Sequence, residues 1–231
     1  LARTIREVSK DEEYTGLLLP PSVAGAAANV AASLLGKPVV NLNYTASAEA
    51  IRSALEQTSI KTVISSRAFL EKINVEVPAE IVFLEDLVER HGRVVKTMDA
   101  LAAWLLPAFL LRLWIHGKRI DVDDVATVIF SSGSTGLPKG VMQTHHNILS
   151  NVQSVSELLE LRGRDRILGV LPFFHSTGYT GGLWSPLVTG MVAVYHPNPL
   201  DARAVGKLVK EHGVTIIFAT PTFIHGYARR C

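Results

Sequence analysis

Eight short apolar runs, rich in β-branched residues and each followed by chain long enough for a helix, limit what this sequence can fold into. They are Thr15 to Leu19, Pro38 to Leu42, Lys61 to Ser65, Glu80 to Leu84, Ala126 to Phe130, Arg166 to Leu171, Met191 to Tyr195 and Val214 to Ala219. Their apolar residues run on without alternating with polar ones, which predicts strands covered on both faces, as in a parallel sheet. Helical signals fill the stretches between. Ser22 to Leu35 is alanine-rich and stops at Gly36, a residue suited to the left-handed position just past a helix. Asp201 is placed to cap a helix that buries Val205, Leu208 and Val209. The expected fold is α/β, with two doubly wound, mostly parallel sheet lobes and flanking helices.

One segment departs from the alternation. Ala100 to Arg119, "ALAAWLLPAFLLRLWIHGKR", is apolar on every side up to Arg112 and then basic, with Lys118 and Arg119. A helix apolar all round belongs either in a core or against lipid. At roughly 24 Å for its helical part it is too short to span a ~30 Å hydrocarbon layer. Trp104, Trp114, the basic end and the interruption at Pro107 instead suit a bent element lying in a membrane interface. Four of the apolar runs precede this segment and four follow it. The expected division is therefore a first lobe over 1–120, containing 100–119, and a second over 121–231.

Composition narrows the function classes. A hydrophobic content of 48% with 19% charged residues fits a folded globular protein, and 231 residues suffice for one large core or two small ones. The net charge is +2 with the basic residues dispersed, which gives no nucleic-acid footprint. The single cysteine, Cys231, rules out an internal disulfide and suits a reducing compartment, either the cytoplasm or the cytoplasmic face of a membrane. No cluster of Cys and His has metal-ligand spacing, so no metal held by protein side chains alone is expected.

The chemistry concentrates in "SSGSTGLPKG", Ser131 to Gly140, which follows the strand Ala126 to Phe130 and precedes a helical pattern from His146. Three readings compete. A plain turn explains the glycines but not the hydroxyls of Ser131, Ser132, Ser134 and Thr135 together with Lys139. A Walker A loop requires glycine directly before its lysine and Ser or Thr after it, whereas Lys139 stands between Pro138 and Gly140. The preferred reading is a different phosphate clamp. Gly133 and Gly136 let backbone N–H groups converge on an anion, hydroxyls add donors, and Lys139 adds a mobile charge.

"SSGSTGLPKGVMQTHHN" resembles the signature phosphate loop of the acyl-adenylate-forming enzymes: acyl-CoA synthetases, coumarate–CoA ligases, luciferases and peptide-synthetase adenylation domains. "LPFFHSTGY", Leu171 to Tyr179, is similar to their second motif, and "LLGKPVVNLN", Leu34 to Asn43, to a third. The wider stretches from Leu17 to Ser47 and from Tyr195 to Phe223 resemble the acyl–acyl-carrier-protein synthetase portion of bifunctional 2-acylglycerophosphoethanolamine acyltransferases. This resemblance implies an incomplete N-terminal domain. The Y-G-x-T-E motif, the ribose-binding aspartate and the C-terminal domain with its catalytic lysine have no counterpart before Cys231.

The activity so implied is ATP- and Mg²⁺-dependent activation of a fatty acid to an acyl-adenylate, then transfer to a phosphopantetheine thiol, on acyl carrier protein in preference to coenzyme A. Ser131, Ser132, Gly133, Ser134, Thr135, Gly136, Lys139 and Gly140 are implied to bind the ATP phosphates. His175, which alone reads as an ordinary structural histidine, is implied to line the site of the reacting carboxylate. Gly178 and Tyr179 are implied to shape the acyl pocket, while Phe173, Phe174 and Trp184 read equally well as core. A ligase for another acid and a non-catalytic nucleotide-binding fragment remain as alternatives. Two H-x4-D matches, His116 with Asp121 and His196 with Asp201, lack the asparagine that precedes the histidine in acyltransferases and are expected by chance. No G-x-S-x-G nucleophile elbow is present.

Overall fold

The first sheet is built from strands that alternate with helices. In chain order these are α1 (Ala2–Val8), β1 (Thr15–Leu18), α2 (Val23–Leu34), β2 (Val39–Asn41), α3 (Ala48–Thr58), β3 (Thr62–Ser65), α4 (Arg67–Leu70), β4 (Glu80–Phe83), α5 (Leu84–Glu89), α6 (Arg93–Leu105), α7 (Ala108–Trp114), β5 (Val125–Ser131) and β6 (Lys139–Thr144). The computed structural model describes residues 1–73, 75–115, 119–131 and 137–230. The strand order is β4-β3-β1-β2-β5-β6, parallel throughout except for the β5–β6 pair. Burial matches the continuous apolar runs, since β1 and β2 are buried at every residue. Two buried hydroxyls tie neighbours together: Ser65 donates to the Leu18 carbonyl at 2.8 Å and Thr127 to that of Val39 at 2.6 Å.

Ala28, Ala31 and Ala32 of α2 are small enough to sit directly on the sheet, packed with Leu17, Val39 and Ile64. Past the helix Gly36 takes φ +68°, the left-handed backbone expected there. The buried Lys37 then donates its ammonium to the carbonyls of Ser9 and Glu12, which supplies the partners a buried charge needs.

The second sheet is smaller. It follows α8 (His145–Leu158) and comprises β7 (Arg166–Gly169), β8 (Val192–Tyr195) and β9 (Ile216–Ile217), parallel in the order β8-β7-β9. A π-helical segment, Gly178–Trp184, runs into α9 (Ser185–Thr189), and α10 (Ala202–His212) and α11 (Pro221–Arg230) complete the element order. Asp201 caps α10, its carboxylate accepting from the Ala204 N–H at 3.1 Å. Leu168, Val170, Val205 and Tyr227 form the core between this sheet and α10 and α11.

All eight expected strands are present, and the α/β class with mostly parallel sheets stands. The boundaries of the two units differ from those read in the sequence. The chain divides into Leu1–Leu19 with Ala27–Thr144 and Pro20–Ala26 with His145–Cys231, not at 120/121. The reason is strand pairing: β5 joins β2 through Val39 and Thr127 and so belongs to the first sheet. The segment 100–119 therefore lies inside the first unit. It is not one helix but two, α6 and α7. Pro107 disfavours helical backbone at the residue before it, and Leu106 is extended at φ −88°, ψ 135°. His116, Gly117 and Lys118 lie outside the described residues.

Candidate active site

The loop expected between a strand and a helix connects two antiparallel strands instead. β5 enters it, β6 leaves it, and α8 starts only after β6. The strand β6, "KGVMQT", gave no apolar run because it is the exposed edge of the sheet, where a charge, a glycine and polar residues suit a strand with no outer neighbour. At the base of the loop Phe130 pairs with Gly140 and Ser131 with Lys139. Ser131 Oγ reaches the Lys139 carbonyl only at a long 3.5 Å. A firmer hold comes from α3: Gln57 Nε2 donates to the Pro138 carbonyl at 2.9 Å and to Ser53 Oγ at 3.0 Å. Nothing in the sequence marked Gln57, since a glutamine on a helix face is ordinary.

Lys139 and Ser131 are exposed at this rim, and the ten residues Ser131 to Gly140 contain no carboxylate, so the local charge fits an anion. Gly140 has a packing reason of its own. A Cβ there would stand 2.8 Å from Val128 Cγ1 and 3.2 Å from the Phe130 ring. Ser132, Gly133, Ser134, Thr135 and Gly136, the residues implied to grip phosphate, lie outside the described residues. Among the described residues no group of three His, Cys, Asp or Glu is arranged to hold a metal ion.

The second motif, Leu171–Tyr179, lies in the second unit. Phe173 and Phe174 are buried, which settles them as core. Phe173 meets Tyr195 edge-to-face at 5.7 Å. Burial pushes the Tyr195 hydroxyl up to about 12, and it donates to the Gly182 carbonyl at 3.1 Å. His175 is exposed, but its ring lies 4.6 Å from that of Phe174, and desolvation by its surroundings lowers its pKa. It is consequently a neutral imidazole at neutral pH, able to donate from one nitrogen and accept at the other.

What holds His175 is backbone. Its N–H donates to the Pro172 carbonyl at 3.1 Å and its carbonyl accepts from Tyr179 N–H at 2.8 Å. Gly178 is buried where a Cβ would stand 2.0 Å from the Pro172 oxygen and 2.7 Å from that of Leu171. No side chain fits there. Tyr179 is fully buried, edge-on to Trp184 at 6.2 Å. The π-helical turn they open had no sequence signal beyond the density of glycines at 178, 181 and 182; such turns concentrate at functional sites.

Of the two acyltransferase-like matches, His196 stands 3.9 Å from Asp201 Oδ2, beyond hydrogen-bond reach, while Asp201 Oδ1 caps α10. His116 lies outside the described residues. A concavity of about 660 Å³ in the second unit is lined by Leu200, Phe223, Tyr227 and Arg230 among others, and by neither His175 nor Tyr179.

The profile of the family described as "AMP-binding enzyme" matches residues 1–230. A 2-succinylbenzoate–CoA ligase of Bacillus licheniformis is 29% identical over 96% of this chain and 42% of its own length. A 4-coumarate–CoA ligase of Oryza sativa subsp. japonica is 31% identical over 90% of this chain and 38% of its own. The chain thus spans less than half the length of these curated relatives. In fold it matches the o-succinylbenzoate–CoA synthetase of Bacillus subtilis in complex with its acyl-adenylate intermediate. The TM-score is 0.77 at 23% identity, over 100% of this chain and 55% of that one.

Proposed function

The chain belongs to the AMP-binding enzyme family, and from that premise we propose that it is the nucleotide-gripping part of an acid–thiol ligase. The acid's carboxylate oxygen attacks the α-phosphorus of ATP, the bond to the bridging oxygen breaks, and pyrophosphate leaves. The thiol, its proton lost to solvent, then attacks the acyl carbon, and AMP leaves. The enzyme's task in such a reaction is positioning and charge stabilisation, with no protein nucleophile. The observation that carries the reading is the family match over residues 1–230, with an acid-free, glycine-rich loop inside it.

In this proposal Ser131, Ser132, Gly133, Ser134, Thr135, Gly136 and Lys139 hold the β- and γ-phosphates, with Gln57 and Gly140 fixing the base of the loop. Mg²⁺ would neutralise charge on phosphate oxygens, which supply the ligands the described side chains do not. Neutral His175 lines the site of the carboxylate without carrying a competing positive charge. Gly178 and Tyr179, both buried, keep its turn rigid and would shape the acyl pocket from behind that turn.

The acid we assign is a fatty acid, on the resemblance of Leu17 to Ser47 and Tyr195 to Phe223 to acyl–acyl-carrier-protein synthetases. The thiol is that of phosphopantetheine, which coenzyme A and acyl carrier protein share. Coenzyme A is supported by relatives that are named as CoA ligases, and the carrier protein by that same resemblance. Incubating the full-length enzyme with ATP, a long-chain fatty acid and each thiol in turn tests the proposal. Release of AMP and pyrophosphate is expected, with the better thiol identifying the acceptor. Release of ADP and phosphate would refute it.

A further inference from the structure

Helices α6 and α7 are held to the first unit along one side only. Asp99 on α6 accepts from Trp114 Nε1 of α7 at 3.0 Å and pairs with Arg3 at 3.5 Å, while the Arg3 guanidinium stacks over the Trp114 ring at 4.9 Å. Ala102 on α6 and Ile115, just past the end of α7, are buried, and Ile115 joins the first core. These contacts fix how the two helices are turned. At 100° per residue Val94, Met98, Leu101 and Leu105 fall within about 60° of arc on α6, roughly a quarter turn round from the side that carries Asp99 and Ala102. All four are exposed, Leu105 by 64%. Trp104 borders this stripe and is 82% exposed, the most exposed large apolar residue of the chain's described part. On α7, Phe109 and Leu113 stand one turn apart and are 60% and 63% exposed.

Large apolar side chains exposed together on two consecutive helices mark a contact surface rather than one facing water alone. Its charge says what covers it. From Arg93 to Arg119 the chain carries five basic residues, Arg93, Lys96, Arg112, Lys118 and Arg119, and one acid, Asp99. Asp99 already pairs with Arg3 on the protein side. This stretch is therefore net +4 in a chain that is +2 as a whole, so the remainder is net negative. An apolar stripe with an interfacial tryptophan and flanking cations is complementary to a bilayer with anionic headgroups. No described helix is long and apolar enough to cross a membrane, so the pair would lie flat.

We propose that the α6–α7 pair docks on an anionic phospholipid surface, inserting Trp104, Leu101, Leu105 and Phe109 into the headgroup–acyl boundary. Trp114 does not insert. It is a strut between Asp99 and Arg3, which separates two tryptophans that look alike in the sequence. The docking deepens the fatty-acid reading by naming where the enzyme meets an acid of low water solubility. Vesicle binding requires neither ATP nor the acid, however, so its failure would leave the adenylation reading intact.

The test is sedimentation of the full-length enzyme with phosphatidylglycerol-rich vesicles and with pure phosphatidylcholine vesicles, at low and high salt. Binding is expected to the anionic vesicles, weakened by salt, and at least tenfold weaker for Leu101→Asp/Leu105→Asp. These side chains are exposed, so the variant should fold normally, and circular dichroism checks that. Lipids brominated in the acyl chain should quench the emission of the wild type and of Trp114→Phe, and quench Trp104→Phe far less. Three results would each overturn the docking. The wild type could stay in the supernatant, or the quenching could survive in Trp104→Phe. The third is concentration-dependent self-association without lipid that Leu101→Asp/Leu105→Asp abolishes, which would assign the face to a second copy of the chain.

Discussion

The phosphate-loop hairpin and the His175 turn are built in opposite ways. At the hairpin, Ser131 and Lys139 are exposed at the edge of a sheet, and besides the β5–β6 ladder the described side-chain hydrogen bonds at the loop base are one long hydroxyl contact and the amide of Gln57. At the His175 turn, Phe173, Phe174, Gly178 and Tyr179 are all buried, and backbone carbonyls close around Gly178 to within 2.0 Å of where a Cβ would be. The difference follows from what each presents. In the proposed function the hairpin meets phosphate with N–H groups and charge, which a surface loop offers without disturbing a core. The ring of His175, which the proposed function sets beside the reacting carboxylate, calls for rigid surroundings. Fold and chemistry are therefore separable at the first region and inseparable at the second.

The largest effect expected from this contrast is on stability. Gly178→Ala forces a methyl into the Pro172 carbonyl, which backbone cannot yield cheaply. A loss of about 3 kcal/mol, or roughly 6 to 12 °C in Tm, is expected together with loss of activity. Thermal unfolding of the 231-residue chain measures it. An unchanged Tm would mean that the turn is looser than its packing implies.

At the hairpin the expected effects are kinetic and smaller. Lys139→Ala removes an exposed charge and should raise the KM for ATP by about tenfold, because a flexible ammonium is partly replaced by Mg²⁺ and solvent. Gln57→Ala removes the hydrogen bond to the Pro138 carbonyl and should raise it by about threefold, the worth of one exposed hydrogen bond. Neither should move Tm by more than about 2 °C. A stability loss for Lys139→Ala comparable to that of Gly178→Ala would erase the contrast.

The two regions also differed in how far the sequence disclosed them. Strands β1 to β4 were legible because they are buried on both faces and so read as unbroken apolar runs. The edge strand β6 was not, since "KGVMQT" answers to solvent on one side. Missing it misplaced the loop before a helix and left Val125–Thr144 with the second lobe, where pairing with β2 puts it in the first sheet. The motif residues were visible as types, and Phe173 and Phe174 resolved to core only when their burial was known. Gln57 was invisible, because its contact with Pro138 spans 81 residues and no local pattern encodes it. The two tryptophans of 100–119 looked equivalent until Asp99 and Arg3 were found beside only one of them.

The most direct test of the central claim, adenylation supported by a loop that contributes little to the fold, is ATP–pyrophosphate exchange in the full-length enzyme beside its thermal unfolding. Wild type is compared with Thr135→Val/Gly136→Ala. Loss of the fixed donors should lower fatty-acid-dependent exchange by about 100-fold or more, the scale for removing oriented hydrogen bonds to developing charge, while Tm stays within about 2 °C. Exchange at the wild-type rate in the double variant would remove the loop from the reaction and contradict the claim.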